Sequence, residues 1–144
     1  MITDKLLRVS TDQGAITSTQ VSTDTIDLVV ARDIGEGTPL YMNFAVTTAF
    51  GGSGTVKFEV ITSANANLSS PDVIGSSDAI TGTDLTLGKN VVVRINPDIG
   101  GLGKRYLGAR YTVTSTVTNG KVTADVVETI GDGQKSYASG FTVA

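Results

Sequence analysis

The carboxylate side chains are the residues of this sequence that could carry chemistry. Histidine and cysteine are both absent from its 144 residues. Without them the chain has no Ser-His-Asp or Cys-His site, no thiolate and no disulfide. The commonest metal ligand and the usual pH switch are missing too, and a zinc site made of carboxylates alone is uncommon. Acid–base chemistry would therefore need a pair of Asp or Glu side chains.

Two pairs of carboxylates have a spacing that could suit an acid and a base. Asp33 and Glu36 lie in a glycine-containing turn, whereas Asp125 and Glu128 lie in a segment with strand periodicity. Glycoside hydrolases place two such groups on either side of the scissile bond. Residues three positions apart on a strand point to opposite faces, so Asp125 and Glu128 would not converge. No apolar pocket is indicated beside either pair, and we expect a protein that is not an enzyme.

Two further motifs could hold ions but have an ordinary structural explanation. Asp72, Asp78 and Asp84 could offer oxygen ligands to calcium, although their spacing matches no calcium loop and Asp is a common turn residue. The run IGGLGKR at residues 99–105 has the glycines of a phosphate-binding loop. It lacks that loop's spacing and its Ser or Thr, and it precedes a strand, not a helix. We predict no cofactor and assign no metal ligands; calcium binding within residues 63–89 stays an open alternative.

A small basic and aromatic group is the main candidate for binding a partner. Tyr106 and Arg110 fall on the outward face of a predicted strand, with Arg105 next to them and Val127 possible alongside. Tyr and Arg are enriched where protein interfaces carry binding energy. Alternatively, Arg110 is an ordinary surface residue whose aliphatic part covers apolar surface, and Tyr106 is an amphipathic residue at the edge of a sheet.

The charge and hydropathy of the chain indicate which partners to expect. Its net charge is −3, with 11 Lys and Arg residues that are scattered along the sequence. A nucleic-acid binder would need a basic stripe to offset the phosphates. No apolar run approaches the length of a membrane span, and the N-terminus lacks the apolar centre of a signal peptide. We expect no nucleic-acid partner, no membrane partner and no secretion by the ordinary route.

Residues 104–130 show the clearest strand periodicity, and we predict that they form one long β-hairpin. Apolar residues recur at every second position, and β-branched Val and Thr dominate. The Asn119-Gly120 dipeptide favours a tight type I′ turn, which needs positive φ at both central residues. The apolar face of the first arm would carry Leu107, Ala109, Tyr111, Val113 and Val117, and that of the second arm Val122, Ala124 and Val126.

The remaining chain is predicted to supply further strands. Strand patterns occur at residues 26–30, 40–50, 55–62 and 90–95, and two or three very short strands would fit residues 63–89. On the 55–62 strand we expect Lys57 and Glu59 outside, as a solvated pair of little energetic weight.

The predicted domain organisation follows from the length of the chain and the composition of its segments. Residues 1–24 form a polar N-terminal arm, which either stays loose or orders against a neighbouring subunit, and residues 25–144 form one domain. About seven to nine strands with almost no helical period predict an all-β fold. The expected architecture is an antiparallel β-sandwich or jelly roll with an extended N-terminal arm, and a small closed barrel is the alternative.

Three of these segments together resemble the capsid cement (decoration or stabilisation) proteins of tailed phages, of the jelly-roll type found in short-tailed phages. They are IDLVVARDIGEGTPLYMNFAV, TVKFEVITS and KRYLGARYTVTSTVTNGKVTADVV, and the resemblance spans about residues 6 to 140. It implies a non-enzymatic structural protein that binds the outer surface of a viral capsid and stabilises it by bridging capsid subunits.

The same resemblance implies the partners and the location. The partners would be the major capsid protein and further copies of the chain, as a homodimer or homotrimer. The location would be the exterior of the capsid in the virion, after synthesis in the bacterial host cytoplasm.

A β-sandwich binding module is the main alternative function. It would be a carbohydrate-binding or receptor-binding domain of a phage tail or cell surface. Such a module needs aromatic residues on an exposed sheet or loop, and Tyr41 and Tyr106 are the clear outward ones. A stacked pair of these tyrosines beside a groove would favour this function.

Overall fold

Two antiparallel sheets packed face to face make up the computed structural model, which describes residues 3–32, 34, 37–96 and 103–128. The predicted all-β antiparallel sandwich is confirmed, with ten strands instead of seven to nine. Two 3₁₀ turns, Lys5–Leu7 and Gly82–Asp84, accompany them. The strands are β1 Arg8–Gln13, β2 Gln20–Val21, β3 Ile26–Asp27, β4 Tyr41–Gly51, β5 Thr55–Ser63, β6 Asp72–Ser76, β7 Ile80–Thr81, β8 Asn90–Arg94, β9 Tyr106–Thr114 and β10 Thr118–Val127.

Strands that follow each other in the chain mostly lie in different sheets. The four-stranded sheet has the order β1-β10-β4-β8, and the six-stranded sheet has the order β2-β9-β5-β6, with β3 added to β9 and β7 added to β5. Consequently β4 and β5, which follow each other in the chain, belong to opposite sheets. The same is true of β9 and β10.

The centre of the molecule is a two-stranded ribbon made of residues 41–63 and residues 106–127, which we call the folded ribbon. These segments pair antiparallel from Tyr41 opposite Val127, in one sheet, to Ser63 opposite Tyr106, in the other. Both segments change sheets at the same place. The folded ribbon therefore doubles over on itself and encloses the core between its two halves.

The predicted hairpin of residues 104–130 is wrong in its pairing. β9 and β10 do not pair with each other, because each pairs with the other segment of the folded ribbon. Asn119 and Gly120 do have positive φ, 54° and 79°, but they lie inside β10 next to a register shift. The chain turns earlier, after Ser115 with its φ of 65°. Left-handed backbone occurs in tight turns and also at irregular positions within strands, so the Asn-Gly dipeptide does not distinguish them.

Most of the other predicted strands are confirmed, and one is shorter than predicted. Residues 40–50, 55–62 and 90–95 are confirmed as β4, β5 and β8, and residues 63–89 contain the predicted short strands, β6 and β7. The strand predicted at residues 26–30 ends at Asp27. Its carboxylate accepts a hydrogen bond of 2.7 Å from the Val29 amide, which has a φ of 70°, and so bends the chain out of the sheet.

Residues 1–24, expected as a polar arm, contribute strands to both sheets in their described part. β1 pairs with β10 and β2 pairs with β9. Val9 and Ile16 are completely buried, and the Ile16 amide donates a hydrogen bond of 3.1 Å to the Gly120 carbonyl. The apolar side chains of this segment complete the core, so the sandwich begins at β1 and not at residue 25.

The core lies between the two sheets and centres on three aromatic rings. Phe44 comes from the four-stranded sheet, and Phe58 and Tyr111 come from the six-stranded sheet, with centroids 5.1 to 6.0 Å apart. The Tyr111 hydroxyl donates a hydrogen bond of 2.7 Å to Ser10, and burial raises the pKa of this tyrosine. As predicted, the inward faces of β9 and β10 are buried at Leu107, Ala109, Tyr111, Val122, Ala124 and Val126.

We expect Gly120→Ala to destabilise the fold more than its matched control, Gly88→Ala. Both glycines have left-handed φ, 79° and 81°, so each substitution carries backbone strain. A Cβ at Gly120 would overlap the Phe50 ring, whereas at Gly88 nothing lies within 4 Å. Urea unfolding should show a loss of about 2 to 4 kcal/mol for Gly120→Ala and about 1 kcal/mol for Gly88→Ala. Equal losses would show that the Phe50 contact does not constrain β10.

Candidate interaction surface

The outer face of the six-stranded sheet carries the charged side chains that sequence analysis singled out. Residues paired directly across an antiparallel ladder point to the same face. Lys57 lies opposite Thr112, and Glu59 lies opposite Arg110. Since Phe58 between them points into the core, all four of these side chains point outward.

Glu59 is the centre of this group. Only 5% of the residue is exposed. Its Oε2 atom accepts a hydrogen bond of 2.6 Å from Arg110 Nε and one of 2.7 Å from the Thr112 hydroxyl. Lys57 Nζ lies 3.7 Å from its Oε1 atom. The predicted Lys57–Glu59 pair does form on the outer face, but the expectation that it is solvated is wrong, because Glu59 is buried and two residues of the neighbouring strand hydrogen-bond its carboxylate. We call Lys57, Glu59, Arg110 and Thr112 the charge cluster.

The charge cluster holds Glu59 in its ionised form. Burial acts to raise the pKa of Glu59, but the hydrogen bonds from Arg110 and Thr112 and the charges of Arg110 and Lys57 outweigh it and lower the pKa below its usual value. At neutral pH two cations therefore surround one carboxylate. The cluster carries a net positive charge on a chain whose total charge is −3.

Arg105 and Tyr106 lie at the beginning of β9, away from the charge cluster. Arg105 donates two hydrogen bonds, of 2.8 and 2.7 Å, to the two carboxylate oxygens of Asp27. The guanidinium also lies 5.1 Å from the centroid of the Tyr106 ring. The hydrogen bonds from Arg105 and from the Val29 amide lower the pKa of Asp27 to about 2. This arrangement ties the start of β9 to the end of β3.

A loop separates these two regions of the outer face. Leu68, with a φ of 56°, is buried, and its side chain packs where a Cβ of Gly108 would otherwise be. Ile61, which lies opposite Gly108, is also fully buried. A glycine within an otherwise regular strand pattern indicates such a close approach, and this was the feature of the sequence that could have revealed it.

The four predicted partner-binding residues are therefore only partly brought together. Tyr106 and Arg110 share the outward face of β9, as the alternation predicted. Arg105 joins Tyr106 through the contact with its ring. Val127 lies in β10, on the opposite sheet, and is 5% exposed. The prediction that it lies alongside Tyr106 and Arg110 is wrong, because β9 and β10 belong to different sheets.

The candidate acid–base pairs do not form a site in the described residues. Asp33 and Glu36 lie outside the described ranges. Asp125 is buried and accepts a hydrogen bond of 2.6 Å from Arg8 Nε, whereas Glu128 is exposed. The Arg8–Asp125 ion pair instead joins β1 to β10, where the two residues are opposite each other.

Several charged groups of the candidate ion-binding motifs form ion pairs within the chain. Asp72 forms an ion pair of 2.6 Å with Lys104. Within the described ranges no three His, Cys, Asp or Glu residues come together as a group that could hold a metal ion. Residues 97–102 of the glycine-rich run lie outside these ranges, and its two cations, Lys104 and Arg105, each contact a carboxylate.

Comparison with known proteins gives the family of this chain. The model of the family described as Bbp16 matches residues 9–126, from β1 almost to the end of β10. The chain belongs to the Bbp16 family. The family name is of a phage type, which indicates a viral protein. No curated protein matches the sequence. None of the helical segments in the described ranges of this Bbp16-family protein is long and apolar enough to cross a membrane.

We expect Glu59→Gln to reduce stability at neutral pH but not at low pH. Because the folded-state pKa of Glu59 is lowered, its contribution is present above the unfolded value of about 4.5 and is lost as the pH falls through the folded pKa. Hydrogen bonds to a charged group contribute about 1.5 to 3 kcal/mol, so a loss of that size is expected at pH 7. Urea unfolding of both proteins at pH 7 and at about pH 3 measures it.

The control for this variant is Asp84→Asn, which removes one carboxylate at an exposed site. The Asp84 side chain makes no hydrogen bond to the described residues, so its loss should be small at both pH values. A Glu59→Gln loss that is independent of pH would contradict the ionised assignment.

Proposed function

We propose that this protein is a non-enzymatic structural protein of the virion, which binds the outer surface of a viral capsid and stabilises it by bridging capsid subunits. The observation that carries the proposal is the phage-type family match over residues 9–126, which includes strands of both sheets. The major capsid protein is the proposed partner. The second proposed partner is the chain itself, as a homodimer or homotrimer.

The architecture supports this role through its rigidity. The folded ribbon spans both sheets, and where it passes between them the Gly54 amide donates a hydrogen bond of 2.8 Å to the Thr116 carbonyl, so the same two segments join both faces. The backbone pairing in this ribbon joins residues far apart in the chain, as the rigidity of a sandwich requires.

The two outer faces also differ in chemistry, which suits contact with two different neighbours. The six-stranded sheet presents the charge cluster. The outer face of the four-stranded sheet presents the small side chains of Ala45 and Thr123, which lie opposite each other, and the Arg8–Asp125 ion pair. A capsid repeats its surface many times, so individually weak contacts on such faces would add up through multivalency.

The alternative function as a carbohydrate- or receptor-binding module receives no support from the tyrosines. Tyr41 lies in β4 of the four-stranded sheet, and Tyr106 lies in β9 of the six-stranded sheet. They do not form a stacked pair, and the Tyr106 ring already has the Arg105 guanidinium over it.

The proposal predicts that the protein pellets with capsids that lack it and makes them more resistant to heat. The test mixes purified protein with such capsids from the encoding phage, sediments them, and follows DNA release on heating with a dye. We expect saturable binding at a fixed number of copies per capsid and a higher release temperature. Light scattering of the free protein gives its oligomeric state. Protein that stays in the supernatant at saturating concentration would contradict the proposed function.

A further inference from the structure

We propose that Arg110 binds a carboxylate of the capsid subunit, with Lys57 as a second cation and Glu59 as a positioning residue. This inference rests on the proposed function and gives it a contact site. It concerns the charge cluster at the middle of the outer face of the six-stranded sheet.

The first observation is the unused hydrogen-bonding capacity of Arg110. Its Nε atom donates to Glu59, but its two terminal nitrogens donate to no residue in the described ranges. Within these ranges, Gln20 Nε2 is the sole buried side-chain nitrogen or oxygen without a partner, so the terminal nitrogens of Arg110 are not buried. Its side chain is 28% exposed. The outer edge of this guanidinium is therefore available for a planar, two-oxygen acceptor.

The second observation is the contrast with the other arginine of this strand. Arg105 Nε and one of its terminal nitrogens donate hydrogen bonds to the two carboxylate oxygens of Asp27. This guanidinium is therefore already paired with a carboxylate of its own chain. Arg110 contacts a single oxygen of Glu59, which leaves its terminal pair facing outward. Of the two, Arg110 has the geometry to receive a carboxylate from outside.

The third observation is that Arg110 is fixed in position before any partner arrives. Glu59 holds its Nε atom and is itself held by the Thr112 hydroxyl. On the ladder, Arg110 lies between Glu59 on β5 and Val21 on β2. Binding a carboxylate would then freeze little additional side-chain motion, which lowers the entropic cost of association.

The charge of the cluster indicates the chemistry of the partner. Lys57 and Arg110 share one carboxylate, so one positive charge remains uncompensated within the cluster. A carboxylate of the partner would balance it. Two copies of a chain with net charge −3 repel each other at long range, which favours a different protein, the capsid subunit, as the source of that carboxylate.

The test compares Arg110→Gln with the matched control Arg32→Gln in co-sedimentation with capsids that lack the protein. Both variants remove one guanidinium, but Arg32 is exposed in the loop after β3, outside both sheet faces. We expect Arg110→Gln to weaken capsid binding at least about tenfold and Arg32→Gln to leave it within about twofold. Added salt should weaken binding of the wild type more than that of Arg110→Gln.

A second variant covers the possibility that Arg110→Gln leaves Glu59 too poorly paired for folding. Arg110→Lys keeps a cation beside Glu59 but lacks the planar guanidinium group. This variant should therefore fold and bind capsids with intermediate affinity. Urea unfolding of each variant separates lost stability from lost binding.

Several results would overturn the inference. If the wild type binds capsids and folded Arg110→Gln and Arg110→Lys bind equally well, the proposed function stands and the Arg110 site fails. If Arg110→Gln lowers the solution mass of the free protein, the carboxylate belongs to a second copy and not to the capsid. If the wild type itself does not bind, the proposed function fails, and this site fails with it.

Discussion

The pairing of residues 41–63 with residues 106–127 is the constraint on which the rest of the structure depends. Both segments must change sheets at the same point, and the backbone there is too close for side chains. The Gly54 amide donates a hydrogen bond of 2.8 Å to the Thr116 carbonyl, and a Cβ at Gly52 would collide with the same residue. The glycines of the β4–β5 connection thus allow the folded ribbon to double over without losing its partner strand.

The folded ribbon also determines what each face of the sandwich carries. Side chains alternate along a strand, so its register decides at once which residues enter the core and which meet across the outer face. With Phe58 opposite Tyr111, the aromatic rings meet inside, and Glu59 is brought opposite Arg110 on the outside. A slip of one residue would exchange these roles. The charge cluster and the aromatic core are consequently two results of the same register.

Outside the folded ribbon, the shorter strands complete the two sheets and form their edges. β1 covers the β10 side of the four-stranded sheet and is fixed there by the Arg8–Asp125 ion pair. β3 joins the start of β9 and is fixed there by the Arg105–Asp27 pair. Exposed ion pairs such as the second contribute little free energy, but they define where a strand ends. These two ion pairs therefore hold one edge strand of each sheet in place.

The sequence by itself determined the strands and the direction of most side chains, because alternation is a local property. Residues 40–50, 55–62 and 90–95 were recognisable as strands, and Tyr106 and Arg110 were correctly placed on one outward face. Tertiary structure alone decided which strands pair. Asn119-Gly120 has the left-handed backbone that its residues favour, yet it lies within β10 and makes no hairpin turn, because β10 pairs with β4. The burial of Glu59, the Arg105–Asp27 pair and the separation of Val127 from Tyr106 follow from that pairing, since each depends on residues far apart in the chain.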